Sequence, residues 1–213
     1  MKNISFSSLL GRGLLGVDIG QDAVRVVELV RRRGMLSCRH CGAAALAPGV
    51  ILEGNVMDAA SLTDALRQAR RDSGSACTRI ALAMPATALI THAIRLPAGL
   101  PEEQLEILVE LEAAQYMPFA LEDASLDFCI LGPAPPLAGT TGKEVDVLLV
   151  AARRAGVQCR LDAARAAGLQ AVIMDSEALA LQAALAQGGW QALPDGGVAY
   201  QLAWGLALHR YAR

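Results

Sequence analysis

Apolar and polar positions fall into short blocks along this chain, each closed by a turn signal. Leu14-Leu15-Gly16-Val17-Asp18-Ile19-Gly20 is an apolar run that ends in glycine, and Val24 to Val30 is a second, β-branched run; both predict strands. Arg31-Arg32-Arg33-Gly34 separates the second run from Met35 to His40, which predicts a hairpin with its three arginines at a solvated tip. Ala47-Pro48-Gly49 closes the third strand. Asp58 or Ser61 can cap a helix reaching about Arg71, with Leu62, Leu66 and Ala69 on one face. Ile80 to Met84 and Leu89 to Leu96 read as strands on either side of a turn at Pro85. Pro101-Glu102-Glu103 opens a helix, since proline fits the first turn and acids favour the positive end of the dipole; Leu105, Leu108, Val109, Leu111 and Tyr116 follow its period until Pro118 stops it.

Leu126 to Leu131 and Val145 to Ala151 predict two more strands, joined by a Pro/Gly/Thr-rich loop over Gly132 to Lys143. Arg153 to Ala167 is helical and Gly168 ends it. Ala171 to Met174 is a short strand, Asp175 or Ser176 caps a helix through Gln187, and Val198 to Tyr211 forms a closing helix. The order βββαββαββαβα plus that last helix is an α/β chain mixing hairpins with crossover helices.

Composition narrows the function classes. The chain has 213 residues, 54% apolar but only 4% aromatic, and 40 of its positions are Ala; its core is built from small and aliphatic side chains. A net charge of −2 gives no electrostatic reason to expect nucleic acid, and the 17 Arg against 2 Lys are interspersed with acids. No run approaches the roughly 18–20 apolar residues that a spanning helix needs, and Met1 to Arg12 lacks the apolar stretch of a signal peptide. Five cysteines without a framework spacing suit a reducing compartment. These features place the protein in the cytoplasm.

Few residues invite chemistry. Asp18-Ile19-Gly20 at a strand end can bring backbone N–H groups to a phosphate and hold a magnesium ion through water; a plain hairpin turn accounts for the same residues. Cys38 and Cys41 have a Cys-x-x-Cys spacing, but strand alternation puts them on opposite faces, so no metal site is expected. His92 and His209 stand alone, Asp175 and Glu177 read as helix caps as readily as water-positioning acids, and Trp190 and Trp204 belong either to the core or to a surface that another domain covers.

The blocks taken together resemble the PilM-type type IV pilus assembly proteins, whose fold is that of actin and FtsA. The resemblance is carried by Leu15-Gly16-Val17-Asp18-Ile19-Gly20 with Val24-Arg25-Val26-Val27-Glu28-Leu29, and by Gly49-Val50-Ile51 to Val56-Met57-Asp58. It continues through Ala81-Leu82-Ala83-Met84-Pro85, Ile94-Arg95-Leu96-Pro97 and Glu112-Ala113-Ala114-Gln115-Tyr116-Met117-Pro118-Phe119. Leu126-Asp127-Phe128, Val145-Asp146-Val147-Leu148-Leu149-Val150-Ala151-Ala152-Arg153 and Met174-Asp175-Ser176-Glu177 complete it, over roughly Gly13 to Gln187.

The resemblance implies an actin-like (ribonuclease H-like) first domain with an inserted FtsA/SHS2-like subdomain: residues 13–47 with 153–213 as the core, 48–152 as the insertion. No second Asp-x-Gly phosphate hairpin follows, and Ala203-Trp204-Gly205-Leu206-Ala207-Leu208-His209-Arg210 resembles the family's closing helix. The expectation is therefore a chain lacking the second actin-like domain. Asp18, Gly20, Gln21 and Asp22 would be its vestigial nucleotide turn. Gln21 and Asp22 stand where the family carries small hydroxyl residues, and a carboxylate at Asp22 repels a phosphate by about 1 kcal/mol at ~4 Å in water. ATP, the ligand the resemblance implies, is thus disfavoured, and no cofactor, no metal and no enzymatic activity are expected.

The implied role is a cytoplasmic scaffold peripheral to the inner membrane, binding the N-terminal tail of a PilN-like membrane protein and linking it to pilus motor ATPases. In that family the tail lies in a groove between the first domain's two parts, and Tyr116, Pro118 and Phe119 are the expected anchors. Two alternatives accompany this reading, an actin-like ATPase and a scaffold like the cytoplasmic part of a type II secretion L protein. Self-association through apolar surface left uncovered is a further expectation.

Overall fold

The computed structural model describes residues 13–135 and 143–211; Met1 to Arg12 and most of the loop expected over Gly132 to Lys143 lie outside it. In chain order the elements are β1 (Leu15–Ile19), β2 (Ala23–Arg32), β3 (Met35–Ala45), β4 (Ile51–Leu52), β5 (Asn55–Val56), α1 (Ala59–Ser73) and β6 (Arg79–Met84). Then come β7 (Leu89–Pro97), α2 (Glu102–Ala113), β8 (Ala124–Pro133), β9 (Glu144–Arg153), α3 (Arg154–Ala166), β10 (Gln170–Ser176), α4 (Glu177–Gln187) and α5 (Gln201–Ala207). The described chain divides into two compact units, residues 13–87 with 158–211 and residues 88–157.

The first unit is built on a five-stranded sheet in the order β10-β6-β1-β2-β3. β1, β2 and β3 form an antiparallel meander, and β6 and β10 extend it in parallel from β1. Helices cover both faces, which is why β1 and β6 are apolar nearly throughout. Leu15, Val17, Val24, Val26, Ile80 and Leu82 pack with Leu62, Leu66 and Ala69 of α1 and Ala163 and Ala164 of α3. On the opposite face Val27 and Leu29 meet Trp204 and Ala207, while Leu14 and Ala81 meet Ala180 and Leu206. Trp204 is therefore a core residue, and Trp190 packs against the same cluster.

Local chemistry explains the boundaries. Asp58 caps α1 by accepting the Ala60 and Ser61 N–H groups at 3.0 Å, and Gly74 ends the helix in the left-handed region. Gly16 has no side chain because α5 lies against it: a Cβ there would sit 1.9 Å from the Ala203 carbonyl oxygen. Gly205 does the same on the other side of α5, where a Cβ would meet the Ala180 oxygen at 1.8 Å. The closing helix is shorter than Val198 to Tyr211. Asp195, Gly196 and Gly197 have φ of 54°, 73° and 74°, so a left-handed kink interrupts the short 3-10 turns before Tyr200, and only Gln201–Ala207 is α-helical.

Strand β3 departs from simple alternation. The register shifts between Glu28 and Leu29, which pair with His40 and Cys38, so Arg39 is an extra residue. This bulge reverses the facing of everything after it. Cys38 and Cys41, expected on opposite faces, pack on the same cluster as Trp204. The Cys38 thiol is pushed up to about 12 by burial, with Cys41 beside it.

The second unit is a three-stranded antiparallel sheet, β7-β9-β8, covered by α2. Ile94 and Leu96 of β7 and Val147, Leu149 and Ala151 of β9 form its core with Leu105, Val109 and Ala113. The units divide elsewhere than at the expected residues 48 and 152. Residues 48–87 fall with the first unit because α1 packs on the large sheet and β6 hydrogen-bonds between β1 and β10 within it.

Candidate functional site

The turn between β1 and β2 lies at the carboxyl ends of the parallel strands β1, β6 and β10, where open α/β sheets place their ligands. Asp18 and Arg25 face each other across the β1–β2 ladder. Arg25 then reaches back over the turn to hold Asp22 in a two-pronged ion pair, Nη1 to Oδ1 at 3.1 Å and Nη2 to Oδ2 at 2.6 Å. The Gly20 N–H, expected to point at a phosphate, donates instead to the Ala23 carbonyl at 3.0 Å. A Cβ on Gly20 would stand 3.2 Å from both the Arg25 guanidinium and the Asp22 carboxylate. The turn is thus closed by its own side chains, and the repulsion assigned to a lone Asp22 is largely cancelled by Arg25. Gln21 and Asp22 are exposed.

The electrostatics follow from burial. Asp18 is only 9% exposed, and desolvation raises its pKa to about 7; Arg25 opposes the shift, while Glu177 and Asp22 add to it. The Arg25 pair holds the Asp22 carboxyl below its usual range. Glu177, the first residue of α4, is raised by burial against the pull of Arg160 and of a backbone hydrogen bond with Ala86. The Arg160 guanidinium is buried, lowered by that burial, and donates to the Gly54 carbonyl. No group of three or more His, Cys, Asp or Glu among the described residues has a metal-binding arrangement.

Two residues set aside from sequence turn out to be partners. His209, beyond α5, meets Asp175 at 2.7 Å, Nε2 to Oδ2, tying the end of the described chain to the end of β10. Asp175 also accepts the Ser176 N–H. Their separation of 34 positions along the chain hides this pair from any local reading.

In the second unit the three aromatic-motif positions lie just past α2. Tyr116, 38% exposed, rests on His92 of β7 with ring centroids 3.7 Å apart. Phe119 is half-buried, and the Arg153 guanidinium sits 4.3 Å from its ring centroid. Pro118 is exposed between them, while Met117 packs on the unit's core. His92, which the sequence offers only as an isolated histidine, and Arg153 were not among the expected anchors. Arg153 stands at the end of the apolar β9 run Val147, Leu149, Ala151, two residues on, and that alternation could have found it. An open depression of about 720 Å³ between the edge of β3 and α1 is lined by Ala45, Ala47, Arg67 and Arg71.

No helix among the described residues is long and apolar enough to cross a membrane. The family whose sequence profile matches the chain is described as type IV pilus assembly protein PilM, over residues 16–210. Among solved structures, a PilM–PilN type IV pilus biogenesis complex aligns with a TM-score of 0.70 and 29% identity, covering 81% of this chain and 49% of the other. The cytoplasmic domain of EpsL, an inner-membrane component of the type II secretion system of Vibrio cholerae, aligns with a TM-score of 0.49 and 16% identity, covering 79% and 58%. The chain spans about half the length of the solved structure it matches best of these two. The mixed α/β architecture is that of the actin-like PilM fold.

Proposed function

Because the chain belongs to the PilM family of type IV pilus assembly proteins, we propose that it is a scaffold of the pilus assembly complex and binds the N-terminal tail of a PilN-like inner-membrane protein. The observation that carries this reading is the likeness to PilM in a PilM–PilN complex. Such a scaffold works at the cytoplasmic face of the inner membrane, held there through its partner. Tyr116, Pro118 and Phe119 supply anchor area for the tail. Tyr116 and Pro118 are exposed, and the Arg153–Phe119 and His92–Tyr116 contacts fix both rings before any peptide arrives, so little side-chain entropy is lost on binding.

The same reading has no catalytic step. Arg25 and Asp22 close the β1–β2 turn, the Gly20 N–H is already used, and burial raises the Asp18 pKa to about 7. A half-protonated carboxyl is a poor recruiter of hydrated magnesium at neutral pH. Titration of a PilN tail peptide tests the scaffold role: binding is expected, and no binding by the parent protein removes the claim. Unchanged affinity in Phe119→Ala removes Phe119 from the contact. An ATP turnover assay and ATP calorimetry test the rest; micromolar ATP binding abolished by Asp18→Ala would reverse the reading of the turn.

A further inference from the structure

The β2–β3 hairpin is a tight two-residue turn, with Arg32 paired to Met35 and Arg33-Gly34 at its corner. Both corner residues are left-handed, φ 50° for Arg33 and 82° for Gly34. Such turns favour Asn, Asp or Gly at the first position, because a side chain with a Cβ is strained there. An arginine at this position is therefore strained, and no described ion pair holds it there.

The rest of the tip is of one sign. Arg31, Arg32 and Arg33 are all exposed, and no described carboxylate forms an ion pair with any of them or with Arg210. Tyr211 gathers two of these cations. The Arg31 guanidinium lies 4.9 Å and the Arg210 guanidinium 5.5 Å from its ring centroid, and both Arg210 and the Tyr211 hydroxyl donate to the Leu29 carbonyl. The whole chain carries a net charge of −2, so this is a local positive field on a slightly acidic protein. Among the arginines stands Met35, 72% exposed at the tip of the hairpin, an unbranched apolar side chain with nothing to bury it.

We propose that this hairpin tip, Arg31, Arg32, Arg33 and Met35 with Arg210 beside it, is a docking surface for an anionic phospholipid bilayer. Clustered arginines are drawn to anionic headgroups, and one apolar side chain projecting among them enters the headgroup–acyl boundary. Nucleic acid fits less well: Tyr211 is occupied by two guanidiniums, and the tip offers no open aromatic face for a base. The surface is built from residues of the first unit and the proposed peptide anchors from residues of the second, and it lets the protein touch the membrane without its partner.

Flotation with phosphatidylcholine–phosphatidylglycerol vesicles at a ratio of about two to one, against pure phosphatidylcholine vesicles, tests the surface. Binding to the anionic vesicles alone, lost at high salt, is expected. Replacing Arg31, Arg32 and Arg33 together by Gln should lower the partition coefficient roughly 100-fold, at about fivefold per charge. Arg32→Gln with Arg33→Asn keeps a residue suited to the turn and should lower it roughly 25-fold. Met35→Ser should weaken binding severalfold without changing its salt dependence. Each variant should titrate the PilN tail peptide as the parent does, so failure here is distinguishable from failure of the scaffold reading. Equal binding to neutral vesicles, parental binding by the folded double variant, or an oligonucleotide that displaces the vesicles would overturn the proposal.

Discussion

Replacing Asp18 by Asn removes the charge of the most strongly perturbed acid while keeping its size. Asp18 sits near the end of β1 with Arg25, Glu177 and Asp22 as its charged neighbours, its pKa raised from 3.8 to about 7 chiefly by burial. That difference in proton affinity between unfolded and folded chain corresponds to about 4 kcal/mol. Below pH 3.8 the carboxyl is protonated in both states and has no effect. Between 3.8 and 7 the unfolded chain releases the proton while the folded chain keeps it, so stability falls as pH rises; above 7 the loss is complete. Asp18→Asn should therefore match the parent near pH 4 and exceed it by up to about 4 kcal/mol at pH 8. Urea denaturation at both pH values, with equal m-values, measures this directly. A variant no more stable than the parent at pH 8, or one with the same advantage at both, would refute the assignment of a carboxyl whose ionisation is penalised by burial at this turn.

Other substitutions read out separate features. Gly16→Ala places a methyl where the Ala203 carbonyl already is, and should cost about 3 kcal/mol or more, seen as a lowered urea midpoint. Arg33→Asn relieves a left-handed arginine and should raise stability by about 1 kcal/mol in the same assay, while weakening vesicle binding. Arg25→Gln releases Asp22 and opens the turn; its Asp22 carboxyl, now held below its usual range, should titrate higher by NMR. Exposed Cys129 should be alkylated by iodoacetamide well before Cys38, whose thiol is pushed up to about 12, as followed by mass spectrometry of labelled peptides.

Local signals carried most of the elements. Asp58 as a cap, Gly74 and Gly168 as stops, Pro118 past α2 and the arginine-glycine hairpin all act within a few residues of themselves. The actin-like architecture and the family came from the order of motifs. What escaped depends on pairings distant in sequence or on a single inserted residue. The bulge at Arg39 leaves no compositional trace, yet it decides that Cys38 and Cys41 share a face. Arg25 looked like an ordinary strand position, and only the tightness of the turn brings it over Asp22. Asp175 and His209, and Tyr116 and His92, are partners because the segments that follow α5 and α2 pack back on β10 and β7. The assignment of residues 48–87 to the larger unit likewise rests on β6 entering the sheet between β1 and β10, a parallel pairing that alternation cannot reveal.

The backbone contact between Gly16 and Ala203 also has a schedule. These two positions are 187 residues apart, 203 minus 16, and β1 is not covered by α5 until the second is made. At a synthesis rate of about 5–20 residues per second, the ribosome delivers them roughly 10–40 s apart. Until α5 is made, the face carrying Leu14, Val27, Leu29 and Ala81 lacks the part of its cover that Ala203, Trp204, Leu206 and Ala207 supply. The face that α5 covers thus stays open until Gln201–Ala207 has been made, and the yield of this protein in cells is expected to depend on chaperones more than its finished stability suggests.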